Sequence, residues 1–198
     1  MTKRVREYLD KDHEVMDDYY GLCESYNGRN AKTVKKQLRG LIEKDPDFFD
    51  SYLLLYEILQ DEGKFTGAER ILDEAFYRAE KLITDENGQW PDRLEWGWLG
   101  NRHIIRTIVN KALLLWEQDT TDIALDLLRK LLLTNPNDNP GVRYFILGIQ
   151  MNMTHTEFEE KFDRGGFYDS DINTWFTQND DKFPEEFDWW EKAIEEEE

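Results

Sequence analysis

Val34, Leu38, Leu41 and Pro46 are matched at identical offsets by Ala124, Leu128, Leu131 and Pro136. Between them Ala68, Leu72 and Ala75 form a further copy that lacks the closing proline. Val34 to Ala68 is 34 residues, and Ala68 to Ala124 is 56, one period and 22 residues more. A period of 34 with small and large apolar residues in register is the spacing of helix–turn–helix repeats. One such hairpin cannot bury its own apolar face, so copies must stack. The chain is therefore expected to be all-α, a solenoid of three to four helical hairpins.

The 198 residues suffice for one domain with a core, and seven Trp, nine Tyr and eleven Phe supply bulk for it. Net charge is −18, of which His155–Glu198 carries −12, with 16 acids against 4 bases. Such a chain is repelled by nucleic-acid phosphates and anionic membranes, and a basic partner or patch is favoured. No apolar run approaches the ~18–20 residues that cross a bilayer. The opening residues lack the apolar core of a secretory signal. Cys23 is the one cysteine, so no intrachain disulfide forms. It falls on an apolar helical stripe and reads as a buried, inert thiol. The expected location is cytoplasmic.

Apolar spacing predicts helices at 4–26, 31–44, 48–61 and 66–83, with Asn30 capping the second and Glu62-Gly63-Lys64 turning between the last two. Asp45-Pro46 ends the second, because the residue before proline avoids the helical region. Pro91 suits the first turn of a long helix reaching Glu117, and another helix spans 121–133. Asn139-Pro140 is expected to cap and start the next helix. Thr154 and Glu157 form a capping-box pair before Phe158 and Phe162. In the tail, helices are expected at 171–177 and 184–195. The 22-residue excess falls between about 80 and 101.

Tyr52-x2-Leu55-Tyr56-x2-Leu59 followed by Ala68-x3-Leu72 and Ala75 resembles the tetratricopeptide repeat. Ile108-x2-Lys111-Ala112-x2-Leu115, then Ala124-x3-Leu128 and Pro136, resembles it again. Residues 135–144 and 96–106 are similar to segments of some bacterial tetratricopeptide proteins of undefined role. The resemblance covers about 12–163. It implies a right-handed α–α superhelix whose first helices line a concave peptide groove, at 48–61, 102–117 and 142–149. Tyr56 stands where the family places a small residue, which requires that hairpin to splay or reorient. The family's carboxylate clamp needs Lys, Asn and Arg on the first helices. The clearest repeat offers Asp50, Leu53, Leu54 and Glu57, which argues against a clamp.

Arg102, Arg106 and Asn110 step by four and share one helix face, and Arg143 begins the following hairpin. Together with Leu53, Glu57 and Leu113 they are the groove candidates, a planar-donor stripe suited to an acidic peptide. A salt-bridged, purely stabilising face is the bland alternative. Residues 1–163 form the expected repeat domain and 164–198 an acidic, aromatic extension. Trp175, Phe176, Phe187, Trp189 and Trp190 would be costly to leave in water, at ~25 cal/mol per Å². They are expected to dock on the chain's own repeats, with docking on a second copy, giving a homodimer, less favoured.

Asp169-x-Asp171-x-Asn173 resembles the start of a calcium loop, but Thr174 replaces the required glycine and Asp180 the terminal glutamate. An acidic helix start explains the same residues. His13, His103 and His155 are scattered in sequence, and there is no zinc spacing or phosphate loop. No catalytic residue, metal site or cofactor is expected. The chain reads as a protein- or peptide-binding module without enzyme activity. The alternative is an acidic chaperone or nucleic-acid mimic engaging a basic partner through the tail.

Overall fold

A computed structural model describes residues 5–197, with side chains through Ile194. Arg4, the expected start of the first helix, lies outside the described residues. The elements are α1 (Met16–Ser25), α2 (Ala31–Lys44), α3 (Asp50–Asp61), α4 (Phe65–Ile83), α5 (Arg102–Glu117), α6 (Thr121–Thr134), α7 (Val142–Gln150), α8 (His155–Phe162), α9 (Asp171–Thr177) and α10 (Pro184–Glu197). The described residues contain no β-strand. No helix among them is long and apolar enough to cross a membrane.

The residues group into two units, one built from Tyr8–Pro91 and Gly97–Ile108. Here α2 buries Val34, Leu38 and Leu41, a single stripe at helical spacing. The α4 stripe is Ala68, Leu72, Ala75 and Ala79, all fully buried. Small residues at three of these positions let α4 lie close against α3, its most extensively packed neighbour. Each fully buried leucine contributes about 1.5–3 kcal/mol relative to leaving it exposed. Tyr56 is half-buried and accepts a hydrogen bond from Gln60 Nε2 at 2.9 Å. Cys23 is half-buried rather than fully enclosed.

The second unit comprises residues 5–7, Asp92–Trp96 and everything from Val109 onward. Its α6 buries Ala124, Leu128 and Leu131, the same stripe as α2 and α4. Gly148 on α7 marks a close crossing: a Cβ there would meet Phe158 Cδ2 at 2.8 Å and Trp116 Cη2 at 2.9 Å. The tail helices α9 and α10 belong to this unit too.

One backbone turn recurs. Gly63, Asp119 and Asn152 have φ of 69°, 58° and 57°. The next amide reaches back to the same place each time, Lys64 N–H to Leu59 O, Thr120 N–H to Leu115 O and Met153 N–H to Gly148 O. This six-to-one bond satisfies carbonyls that the helix end would otherwise orphan. Asp45 and Asn135 likewise share extended backbone before their prolines, and each closes its helix onto the carbonyl four residues earlier.

Four expectations about helix starts are corrected. The helix expected from Arg4 begins only at Met16, because Asn101 accepts from Asp10 N–H at 3.0 Å and donates to Tyr8 O at 2.9 Å, holding that strap non-helical. The helix expected from Pro91 begins at Arg102, preceded by a short 3₁₀ turn, Leu99–Asn101. The upstream stretch is held by backbone contacts, Asp92 N–H to Arg6 O and Leu94 N–H to Thr134 O. Asn139 does not cap α7. Asp138 does, accepting from Val142 N–H at 2.6 Å and Arg143 N–H at 3.1 Å, while Gly141 takes φ 73°. Asn30 stands at the α2 N-cap position but binds Ser25 O and Asn27 N–H instead of the helix. The Thr154–Glu157 capping box forms as expected.

Candidate functional site

Arg39 on α2, Leu59 on α3, and Lys64, Gly67, Arg70, Ile71 and Glu74 at and after the turn line a cleft of about 380 Å³. Arg39 follows Leu38 and Arg70 precedes Leu72, so the two core leucines place both guanidiniums at the surface of neighbouring helices. Both are exposed, and neither has a side-chain hydrogen bond or ion pair among the described residues. Lys64 is held by Glu62 at 2.7 Å, and Lys35 also bonds Glu62. Those two lysines hold the Glu62 carboxyl below its usual range. Glu74 answers Arg78 at 3.4 Å.

The 19-residue α4 opens on Lys64 with no side-chain cap. Its first-turn amides and positive helix end therefore add to the cleft's attraction for anions. Leu59 and Ile71 give the same cleft apolar wall. The arrangement suits a ligand with carboxylates and an apolar side chain. Sequence reading missed Arg39 and Arg70, which lie 31 positions apart; the one signal was a basic residue within two positions of each repeat leucine, Arg39 after Leu38 and Arg70 before Leu72.

Of the groove candidates, Arg106 forms a two-point pair with buried Asp50, Nε to Oδ1 at 3.0 Å and Nη2 to Oδ2 at 2.5 Å. Leu53 is buried and Leu113 half-buried. Lost hydration, then the charges of Asp61 and Asp50, raise the Glu57 carboxyl, with Arg106 pulling the other way. Arg102, half-buried, and Asn110 both have partners.

Arg143 sits in the other unit. It binds Asp138 Oδ2 at 2.7 Å and also bonds the Tyr144 hydroxyl. Its guanidinium carbon lies 4.1 Å from the Tyr144 ring centroid, 5.5 Å from Phe176 and 5.1 Å from Trp190. Trp175 is buried against Phe162, with centroids 4.8 Å apart, and Phe187 lies 5.0 Å from Phe176. Trp190 Nε1–H donates to Pro136 O at 2.7 Å. Glu186, buried, receives Arg129 Nε at 2.9 Å and Gln150 Nε2 at 2.5 Å. Trp189 is half-buried beside Arg129, Leu132 and Ile146.

His13 and His103, 90 positions apart in sequence, have ring centroids 5.0 Å apart. The Nε2 atoms of both approach a single oxygen, Asp10 Oδ2, at 2.9 and 2.8 Å. These three ligand atoms all lie within 4.8 Å of one another, a cluster compact enough to hold a metal ion. The tautomer argues against that use. His103 Nδ1 accepts Phe49 N–H at 3.1 Å, so its proton resides on Nε2, the atom a metal would need bare. The residues do not fit a metal and do fit a hydrogen-bond network.

Asp169 Oδ1 accepts from Asp171 N–H at 3.1 Å, so the calcium-like residues serve as a helix start. Neither a protein-family model, a curated protein nor a solved structure matches the chain.

Proposed function

We propose that the chain is a non-catalytic, tetratricopeptide-like interaction module that holds an acidic segment of a partner protein. The carrying observation is that Arg39 and Arg70 line one cleft without a carboxylate partner among the described residues. In a chain with 43 acids and 25 basic residues, internal carboxylates are abundant. Two guanidiniums that none of the described ones engages are groups available to an external anion. Net charge of −18 argues against a polynucleotide as that anion, since its phosphates repel the rest of the surface. The cleft's Leu59 and Ile71 favour a peptide with an apolar residue among its acids. The 34-residue register and the recurring six-to-one turn support a solenoid of hairpins as its scaffold.

Labelled peptides combining Asp or Glu with one Leu, titrated by fluorescence anisotropy, test this reading. Arg39→Ala and Arg70→Ala should each weaken binding about tenfold, as expected for losing one charged hydrogen bond. Binding that ignores both substitutions, or no binding by any acidic peptide, sinks the reading.

A second reading rests on a different surface. Asp181, Asp188 and Glu191 are exposed on the tail. Lost hydration and the charges of Asp180, Asp188 and Asp181 raise the Glu191 carboxyl, a sign of crowded negative charge. Such a face suits a basic partner. Binding of a polylysine probe that collapses between low and physiological salt supports it, and salt-independent binding removes it.

A further inference from the structure

Asp10, His13, Asp45 and His103 meet where the Tyr8–Val15 strap crosses the junction between α2 and α3. Asp10 and His13 come from the strap, Asp45 ends α2, and His103 belongs to the first turn of α5. His13 Nε2 lies 2.9 Å from Asp10 Oδ2 and its Nδ1 lies 2.8 Å from Asp45 Oδ2. Both neighbours are carboxylates, which only accept when ionised, so both ring nitrogens must donate. A ring that donates from both nitrogens carries a positive charge. His103 differs, because the Phe49 amide occupies its Nδ1 and leaves one proton, on Nε2. Two buried histidines thus share one aspartate oxygen while holding different numbers of protons.

We propose that His13 is held as an imidazolium and is a proton-operated latch fastening the Tyr8–Val15 strap to the α2–α3 junction. Losing its proton leaves one N–H for two carboxylates, and a ring lone pair then faces a buried negative oxygen. That contact is repulsive, and the unsatisfied carboxylate keeps its desolvation cost. Other titratable groups face the cluster. Tyr8 donates its hydroxyl to Asp10 Oδ1 at 3.1 Å, and Asp47 acts on Tyr8 through its charge. Burial opposes the His13 charge, but hydrogen bonds and charges from Asp10 and Asp45 outweigh it and hold the group above 6.5. Burial likewise opposes ionised Asp10, yet hydrogen bonds from His103 and His13 keep it well below the usual carboxylate range.

The Asn101 hydrogen bonds to Tyr8 and Asp10 do not titrate, so the latch loosens the strap without detaching it. The sign follows from linkage. A histidine raised in the folded state contributes stability that is full below 6.5 and is lost as pH rises through its folded value.

The test uses the full chain with ¹⁵N-labelled histidine, reading ring-nitrogen shifts and backbone hydrogen exchange across pH 6 to 10. At pH 7 both His13 nitrogens should appear protonated, and His103 should show one protonated nitrogen. Exchange protection of residues 8–15, corrected for intrinsic rates, should fall about tenfold through the His13 titration. Asp45→Asn keeps an acceptor but removes a charge. It should lower the His13 titration by about one unit, a tenfold change in proton affinity, and move strap loosening with it. A neutral His13 at pH 7, or protection that stays flat through its titration, overturns the proposal. So does an unchanged titration in Asp45→Asn. Stoichiometric zinc binding that shifts both the His13 and His103 rings would also overturn it, in favour of a metal site.

Discussion

The guanidinium carbon of Arg143 lies 5.1 Å from the ring centroid of Trp190. This contact ties α10 to the start of α7, inside one structural unit. Because Arg143 also holds fully buried Asp138, one side chain serves both tail docking and the α7 cap. Arg143→Ala should therefore cost about 3 kcal/mol, the scale for stripping the partner from a buried charge. Arg143→Lys, which keeps charge but not the planar stacking face, should recover only part. Urea unfolding of both variants decides this, and equal stability to the parent would refute it.

Trp175 packs on Phe162 and Phe158 of α8. Trp175→Ala should destabilise by about 3–5 kcal/mol, the range for emptying a buried aromatic site. Since these partners lie in the same chain, the oligomeric mass should not change. Thermal melts and light scattering read the two halves of this prediction separately.

At Gly148 a methyl group would fall 2.8 and 2.9 Å from two aromatic rings. Gly148→Ala should lower stability by about 1–3 kcal/mol through overpacking, and Gly148→Val by more. Gly67, whose Cβ would meet nothing within 4 Å, is the control, and Gly67→Ala should not destabilise. A tolerated valine at 148 would mean the α7–α8 crossing is looser than described.

Burial pushes Asp138 up to about 6, while Arg143 and the Val142 and Arg143 amides pull it down. Its folded value thus exceeds the ordinary 3.8. The fold then binds this proton more tightly than the unfolded chain does, so stability from this group declines as pH rises from 3.8 through about 6. Asp138→Asn should flatten that part of the stability–pH curve while lowering stability overall, because Arg143 loses its charge partner. An unchanged slope in that window would show that Asp138 does not titrate there.

Local signals were legible wherever the chain within a few residues decides the outcome. Leu38, Leu72 and Leu128 announced buried stripes because a helix must put residues at that spacing on one face. Thr154 and Glu157 announced their cap because the cap closes on itself within four residues. Pro91 misled for the opposite reason: a proline favourable to a helix start does not create one when distant groups hold the backbone otherwise. Arg6 and Thr134 bind residues 92 and 94, and Tyr8 and Asp10 bind Asn101.

The candidate site divides the same way. Arg102, Arg106 and Asn110 were readable as one helix face, but not that Asp50, 56 positions from Arg106, binds that arginine. Nothing local to Arg39 or Arg70 says that no carboxylate among the described residues answers them. His13 and His103 looked scattered because their meeting depends on three chain segments converging. Sequence alone determined a helical chain, the matched buried stripes of α2, α4 and α6 and most helix ends, since helix periodicity and capping act over a few residues. Tertiary structure alone decided which charges are paired and where protons sit, because those depend on dehydration and on neighbours brought together only by folding.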